Sequence, residues 1–170
     1  MRLKEHIDKV SWSVADKLLF VGYGIVTIVQ FNAMKPEEMG LFALLITILN
    51  WIFIISDSFA LQNLIQFGQR KHDRAYINFV VSSSHLTITL GSSLLLLLFG
   101  KPLSVFFNEP RLIEVFEFLI ILTLINIPRT YAIKIFYRDT NMQRLFFVNA
   151  VYFGVMTVAT LSIVFYKRTL

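Results

Sequence analysis

Apolar residues run along this chain in long blocks separated by short polar stretches. Ala75–Gly100 holds 26 residues without an Asp, Glu, Lys or Arg, and Leu145–Tyr166 holds 22. Leu18–Met34 adds 17, and Met39–Gln69 is 31 residues with the single charge Asp57. Phe118–Ile133 also carries one charge, Arg129, directly after Pro128. A membrane-spanning helix needs about 20 predominantly apolar residues. The pattern predicts an all-α integral membrane protein, a bundle of about five transmembrane helices at 12–34, 40–67, 76–100, 113–137 and 145–167. These spans fill one domain, 1–170, and leave only short loops.

The joints between the blocks carry turn chemistry. Lys35-Pro36-Glu37-Glu38-Met39-Gly40 makes a polar turn, with two acids placed for the first turn of the next helix. Gly100-Lys101-Pro102 closes the third span, and Asn108-Glu109-Pro110 opens the fourth. Leu103–Phe107 between them is expected at the interface. Pro128 has no N–H for the carbonyl of Leu124, so a bend is expected in the fourth span.

Polar residues recur at helical spacing within each span: Asp16, Tyr23, Thr27 and Gln30; Thr47, Asn50 and Asp57; Asn78, Ser82, His85, Thr89 and Ser92; Thr123, Asn126, Thr130, Lys134 and Tyr137; Asn149, Met156 and Thr160. Steps of three, four or seven place each set on one helix face. Two readings stay open. The stripes act as hydrogen-bonding glue between helices, or they line a water-filled cavity. Ionisable groups bear on the choice, because a charge at mid-membrane costs about 2.5–3.5 kcal/mol or more. Asp57, Arg129, Lys134, Asp16 and Lys17 would fit one pocket opening to the same side. Lys17 and Lys134 are also long enough to snorkel to the headgroups. His85 reads either as a proton carrier or as a hydrogen-bonded packing residue.

Composition sharpens this picture. The apolar fraction is 56% and the charged fraction 16%, where soluble domains average about 45–50% and about 25%. Net charge is +5 and the sequence pI about 9.6. In a soluble protein that would point to nucleic acid; here the basic residues crowd the loops, and no nucleic-acid partner is expected. With a cytoplasmic N-terminus, Arg2, Lys4, Lys9, Lys17, Arg70, Lys71, Arg74, Lys134, Arg138 and Arg144 lie inside. Lys35, Lys101, Arg111, Lys167 and Arg168 then lie outside, and this 10-to-5 excess favours that orientation. Met1–Val10 carries Glu5 and Asp8 ahead of a long apolar run, so no cleavable signal peptide is expected.

The absence of cysteine excludes disulfides, Cys-based zinc sites and thiol nucleophiles. Hydrolase, metalloprotease and phosphate-loop motifs are missing, and Glu114 and Glu117 suit the start of a helix rather than a metal. Neither enzymatic activity nor a cofactor or metal is expected.

Several short motifs follow one another along the chain: Ser11-Trp12-Ser13, Met34–Phe42, Ser56-Asp57-Ser58-Phe59-Ala60-Leu61-Gln62-Asn63-Leu64-Ile65-Gln66, Phe107-Asn108-Glu109-Pro110, Ile127-Pro128-Arg129 and the basic loop Arg138–Phe146. In order and spacing they resemble the polysaccharide flippases, the O-antigen and lipopolysaccharide-type exporters of the multidrug/oligosaccharidyl-lipid/polysaccharide exporter superfamily. Phe59 stands where that family usually has Gly.

The resemblance implies an incomplete N-terminal lobe of a two-lobe transporter working by alternating access in the bacterial inner membrane. The substrate would be a lipid-linked oligosaccharide, with membrane lipids and a second transporter half as partners. Arg129 and Lys134 would meet the diphosphate headgroup, and Asp57, Lys17, Asp16, Asn126 and Asn50 would line the cavity. Asp57 and His85 would couple a proton or ion. Five spans fall one short of a six-helix lobe, so a fragment or a half completed by another chain is expected. The alternative is a membrane scaffold or assembly subunit that transports nothing. A multidrug exporter would favour an acidic cavity, against the cations of the fourth span.

The topology is open to direct test, since the chain has no cysteine of its own. His72→Cys in whole cells is expected to resist a membrane-impermeant maleimide and to react after the membrane is permeabilised. Labelling of intact cells would reverse the orientation.

Overall fold

The computed structural model describes residues 2–68 and 72–169, with the side chains of 6–68 and 72–162. Arg70 and Lys71 of the basic loop lie outside the described residues, as do the side chains of Arg2, Lys4, Lys167 and Arg168. Among the described residues every regular element is helical: α1 Arg2–Ala33, α2 Pro36–Ser56, a π turn Asp57–Leu61, α3 Gln62–Phe67, α4 Arg74–Leu98, α5 Gly100–Phe106, α6 Leu112–Arg138 and α7 Met142–Thr169. The chain divides into two compact units, Met1–Pro36 with Asp139–Leu170, and Glu37–Arg138.

In the first unit α1 packs on α7 through one stripe on each helix. Trp12 sits 5.2 Å from Phe146, and Phe20 meets Phe153 edge-on at 4.7 Å. Between these ring pairs Asn149 Nδ2 donates to the buried Asp16 Oδ1 at 2.7 Å. Residues 12, 16 and 20 of α1 thus match 146, 149 and 153 of α7 in rising order, so the two helices run parallel.

In the second unit the α2–π–α3 rod, α4 and α6 alternate in direction. Ser56 on α2 meets His85 on α4, and Ser93 and His85 on α4 meet Thr123 and Thr130 on α6 in reversed order. Leu49, Ile52, Leu112, Phe116 and Leu119 form an apolar core towards one end. Leu61, Leu64 and Val81 form another, packed by Ile77, Tyr131 and Ile135. The hydroxyl and imidazole contacts lie between them. Deep in a bilayer such groups have no water to turn to, and pairing one with another satisfies them.

Among the described residues four segments are long and apolar enough to cross a membrane by themselves: His6–Ala33, Pro36–Phe67, Arg74–Leu98 and Met142–Ser162. The fourth expected span, 113–137, falls in α6 and is not among them. Within the second unit α6 packs antiparallel along α4, which is among them, through Ser93–Thr123 and His85–Thr130. At 27 residues α6 is about 40 Å long, enough to span the bilayer.

α6 runs unbroken through Pro128. Next to it Thr130 Oγ1 bonds the carbonyls of Asn126 and Ile127 at 3.0 Å, and Asn126 Nδ2 donates to Leu122 O at 2.9 Å. The stretch expected at the interface is the short helix α5, with Val105 and Phe106 among its most exposed residues. After it, Arg111 donates from its backbone N–H and from Nε to Glu109 Oε1, both at 3.2 Å. These bonds to the charged form hold the Glu109 carboxyl below the usual carboxylate range.

Gly68, at the end of α3, has no room for a side chain: a Cβ there would collide with Leu64 O and lie 2.7 Å from Cδ of Arg138. Arg138 in turn donates from Nη1 to Asn78 Oδ1 at 2.7 Å. Gly68→Ala is therefore expected to destabilise the second unit by about 1–3 kcal/mol. Gly91→Ala, with open space around it, should be neutral or slightly stabilising, because Gly costs about 0.8–1.0 kcal/mol against Ala within a helix. Thermal unfolding of both variants in detergent measures the contrast.

Candidate functional site

The strongest concentration of charge inside the helices is the pair Asp57–Lys134. Lys134 Nζ lies 2.6 Å from Asp57 Oδ1, and both side chains are largely but not fully covered. Asp57 opens the π turn, and Lys134 sits near the end of α6. A π turn takes more residues per turn than an α-helix, so residues five apart come close together. Gln62 Nε2 accordingly reaches back to Asp57 Oδ2 at 3.1 Å. One carboxylate oxygen thus faces a cation from another helix, and the other an amide from its own.

The pair faces a cleft of about 390 Å³ lined on its polar side by Asn50, Asp57, Ser58, Thr130 and Lys134, and on its apolar side by Phe53, Ile54, Leu61 and Ile133. Asn50 is exposed, one turn and more before the π turn. A charge in a membrane helix is costly and is retained where it faces partners or a wet cavity. Here it has both.

Behind the cleft runs a second polar chain. Ser56 Oγ lies 2.5 Å from His85 Nδ1, and His85 Nε2 lies 3.0 Å from Thr130 Oγ1. Each imidazole nitrogen thus has a hydroxyl partner, and the buried ring is bonded on both sides. Thr130 lines the cleft and closes the chain, linking His85 to the wall that carries Lys134.

The expected site residues are distributed over both units. The second unit brings Asn50, Asp57 and Lys134 into one cleft. Arg129 is half-buried on α6 and does not line that cleft. Asn126 is buried, and its amide bonds to its own helix. In the first unit Asp16 is held by Asn149, while Lys17 is exposed with its ammonium 5.6 Å above the Phe20 ring. Phe59, in the position usually Gly in the family the motifs resemble, is an exposed residue of the π turn. Gln62, Ser58 and Ser56 complete the surroundings of Asp57 and were not expected there. Ser56-Asp57-Ser58 and Gln62 stand in one run of sequence, but only a π turn makes the fifth residue a neighbour.

A family model described as polysaccharide biosynthesis protein matches residues 33–170, from the end of α1 through α7. No curated protein and no solved structure matches the chain.

The ion pair should reveal itself as a coupling rather than as two independent losses. Asp57→Asn and Lys134→Met each leave one charge without its partner, whereas the double variant removes both. The double-mutant cycle on unfolding in detergent is expected to give a coupling of about 1–3 kcal/mol. Additive losses would mean that the two charges act separately.

Proposed function

We propose that this chain, which belongs to the polysaccharide biosynthesis protein family, forms part of a flippase that carries lipid-linked oligosaccharide across the bacterial inner membrane. The observation that carries this reading is the Asp57–Lys134 pair at 2.6 Å, set in a half-polar cleft between membrane helices. A phosphate oxygen offers Lys134 the same charge-assisted bond that Asp57 now accepts from it. A headgroup entering the cleft would compete with Asp57 for the ammonium. Asn50, Ser58 and Thr130 offer donors and acceptors of the kind that sugars need, and Phe53 a ring face.

Competition for one cation makes the cleft bistable. Lys134 bonds to Asp57 when the cleft is empty and to phosphate when it is loaded. The released carboxylate then needs a proton or another cation. His85, tied to the same wall through Thr130, is the second candidate for that coupling. Arg129, one turn before Ile133 of the cleft wall on the same helix, would have to turn towards the cleft to serve as the further cation for a diphosphate. The chemistry is translocation without bond-making, so the protein acts as a transporter and not as an enzyme. Its partners are the glycan lipid, the surrounding bilayer and a second bundle, since alternating access needs two bundles rocking around a shared site. The N-terminus is cytoplasmic in this scheme, as the loop charges favour.

Arg129→Gln and Lys134→Gln are each expected to lower surface-glycan display at least about tenfold in a flippase-null strain, the worth of one charge-assisted hydrogen bond, with membrane levels of the protein unchanged. Full display in both variants would reject the reading. Full display with Asp57→Asn as well would favour a scaffold held together by polar glue.

A further inference from the structure

A second cleft, of about 570 Å³, opens within the second unit at the end where α2 begins and α4 finishes. Its body is apolar, formed by Leu44, Ile48, Leu103 and Phe116 among others, and its mouth carries Glu37, Glu109 and Arg111. None of these residues belongs to the Asp57–Lys134 cleft. We propose that this second cleft is a binding site for a zwitterionic, ethanolamine-headed glycerophospholipid, which seats one acyl chain in the apolar body and its headgroup on the charged mouth.

Three observations choose this occupant. The cleft lies among membrane-crossing helices beside α5, where exposed Val105, Phe106 and Phe107 form the apolar-aromatic edge expected at the headgroup level. Its lining changes from aliphatic in the body to charged at the mouth, as a lipid does along its length. The mouth also carries both signs. Arg111 uses Nε and its backbone N–H for Glu109, and the outer edge of the guanidinium is left to face a phosphate. Glu37, exposed in the first turn of α2, supplies a carboxylate for a primary ammonium. A quaternary choline ammonium has no N–H to donate there. An anionic phosphoglycerol head would meet two carboxylates and bring no cation.

The test uses the full 170-residue chain, purified in detergent and offered equimolar dioleoyl phosphatidylethanolamine, phosphatidylcholine and phosphatidylglycerol, with retained lipid read by native mass spectrometry. Phosphatidylethanolamine is expected to be retained about tenfold over each of the others, the factor one charge-assisted bond supplies. Glu37→Gln should reduce it to the phosphatidylcholine level, Arg111→Gln should weaken all three lipids, and Leu44→Trp should displace them by filling the cleft. If Leu44→Trp lost its helical circular dichroism, Glu37→Gln would decide alone, because that side chain is exposed. Equal retention of the three lipids, a preference for phosphatidylglycerol, or an unchanged ethanolamine preference in Glu37→Gln would each overturn the proposal. Stronger retention of a polyprenyl phosphate in a parallel competition would overturn it too, and would assign the cleft to a substrate tail.

Discussion

The ion pair between Asp57 and Lys134 constrains more of this molecule than any other contact. Water cannot reach most of a membrane helix, so a carboxylate placed there must find its partners within the protein. Asp57 finds two, Lys134 across the helix interface and Gln62 five residues on. The second is reachable because the helix widens into a π turn between them. Segments of this kind are rare, are mostly single turns inside α-helices and are frequent at functional sites. The register of Leu61 and Leu64, both fully buried against α4 and α6, is set downstream of that turn. The ion pair, the π turn and the second apolar core are therefore one arrangement, and the cleft is what it leaves open.

The hydrogen-bonded layer beside it obeys the same constraint with neutral groups. Ser56, His85 and Thr130 connect three helices through side chains that each have a partner, and Ser93 with Thr123 repeats the device further along. In lipid, apolar packing gives helices little reason to prefer one neighbour over another, so polar contacts carry much of the specificity. This explains why the buried residues of α4 are largely polar: Val81 is joined by His85, Thr89 and Ser93. The first unit uses a similar device, with Asp16 and Asn149 bonded between a tilted and an edge-on ring pair.

The helices were legible in the sequence because hydropathy reports the membrane directly. The expected spans 40–67 and 145–167 fall within the α2–π–α3 rod and α7, and 12–34 falls within α1 except for its last residue. Helix ends were less legible, since a charged stretch such as 6–11 leaves the bilayer without leaving the helix, and α1 begins well before its apolar run. The stripes identified the faces but erred in detail. On α4 the residue that meets Thr123 is Ser93, not Ser92, because 85, 89 and 93 keep four-residue steps on one face. The π turn was not legible at all. Nothing in Asp57-Ser58-Phe59-Ala60-Leu61 differs locally from a helical sequence, and the partner of its carboxylate, Lys134, lies 77 positions away. The expected grouping of five ionisable residues depended likewise on tertiary placement, which spacing along the chain cannot supply.

Among the cations of α6, position rather than charge decides what each can do. Arg138 is committed to Asn78 at 2.7 Å, and its stem lies where any side chain on Gly68 would have to go, so it holds the end of α6 against α3 and α4. Lys134, one turn earlier, has a single flexible ammonium facing a cleft, and its partner is the carboxylate of Asp57. An arginine in that place would grip Asp57 with a planar fork and bind more rigidly. A lysine is a point charge on four methylenes and can swing between two acceptors with little reorganisation. The order along the helix, a fixed guanidinium at the end and a movable ammonium one turn in, gives α6 an anchored base beneath a responsive side chain. That is the division of labour a helix needs if a headgroup is to be taken up without the bundle coming apart.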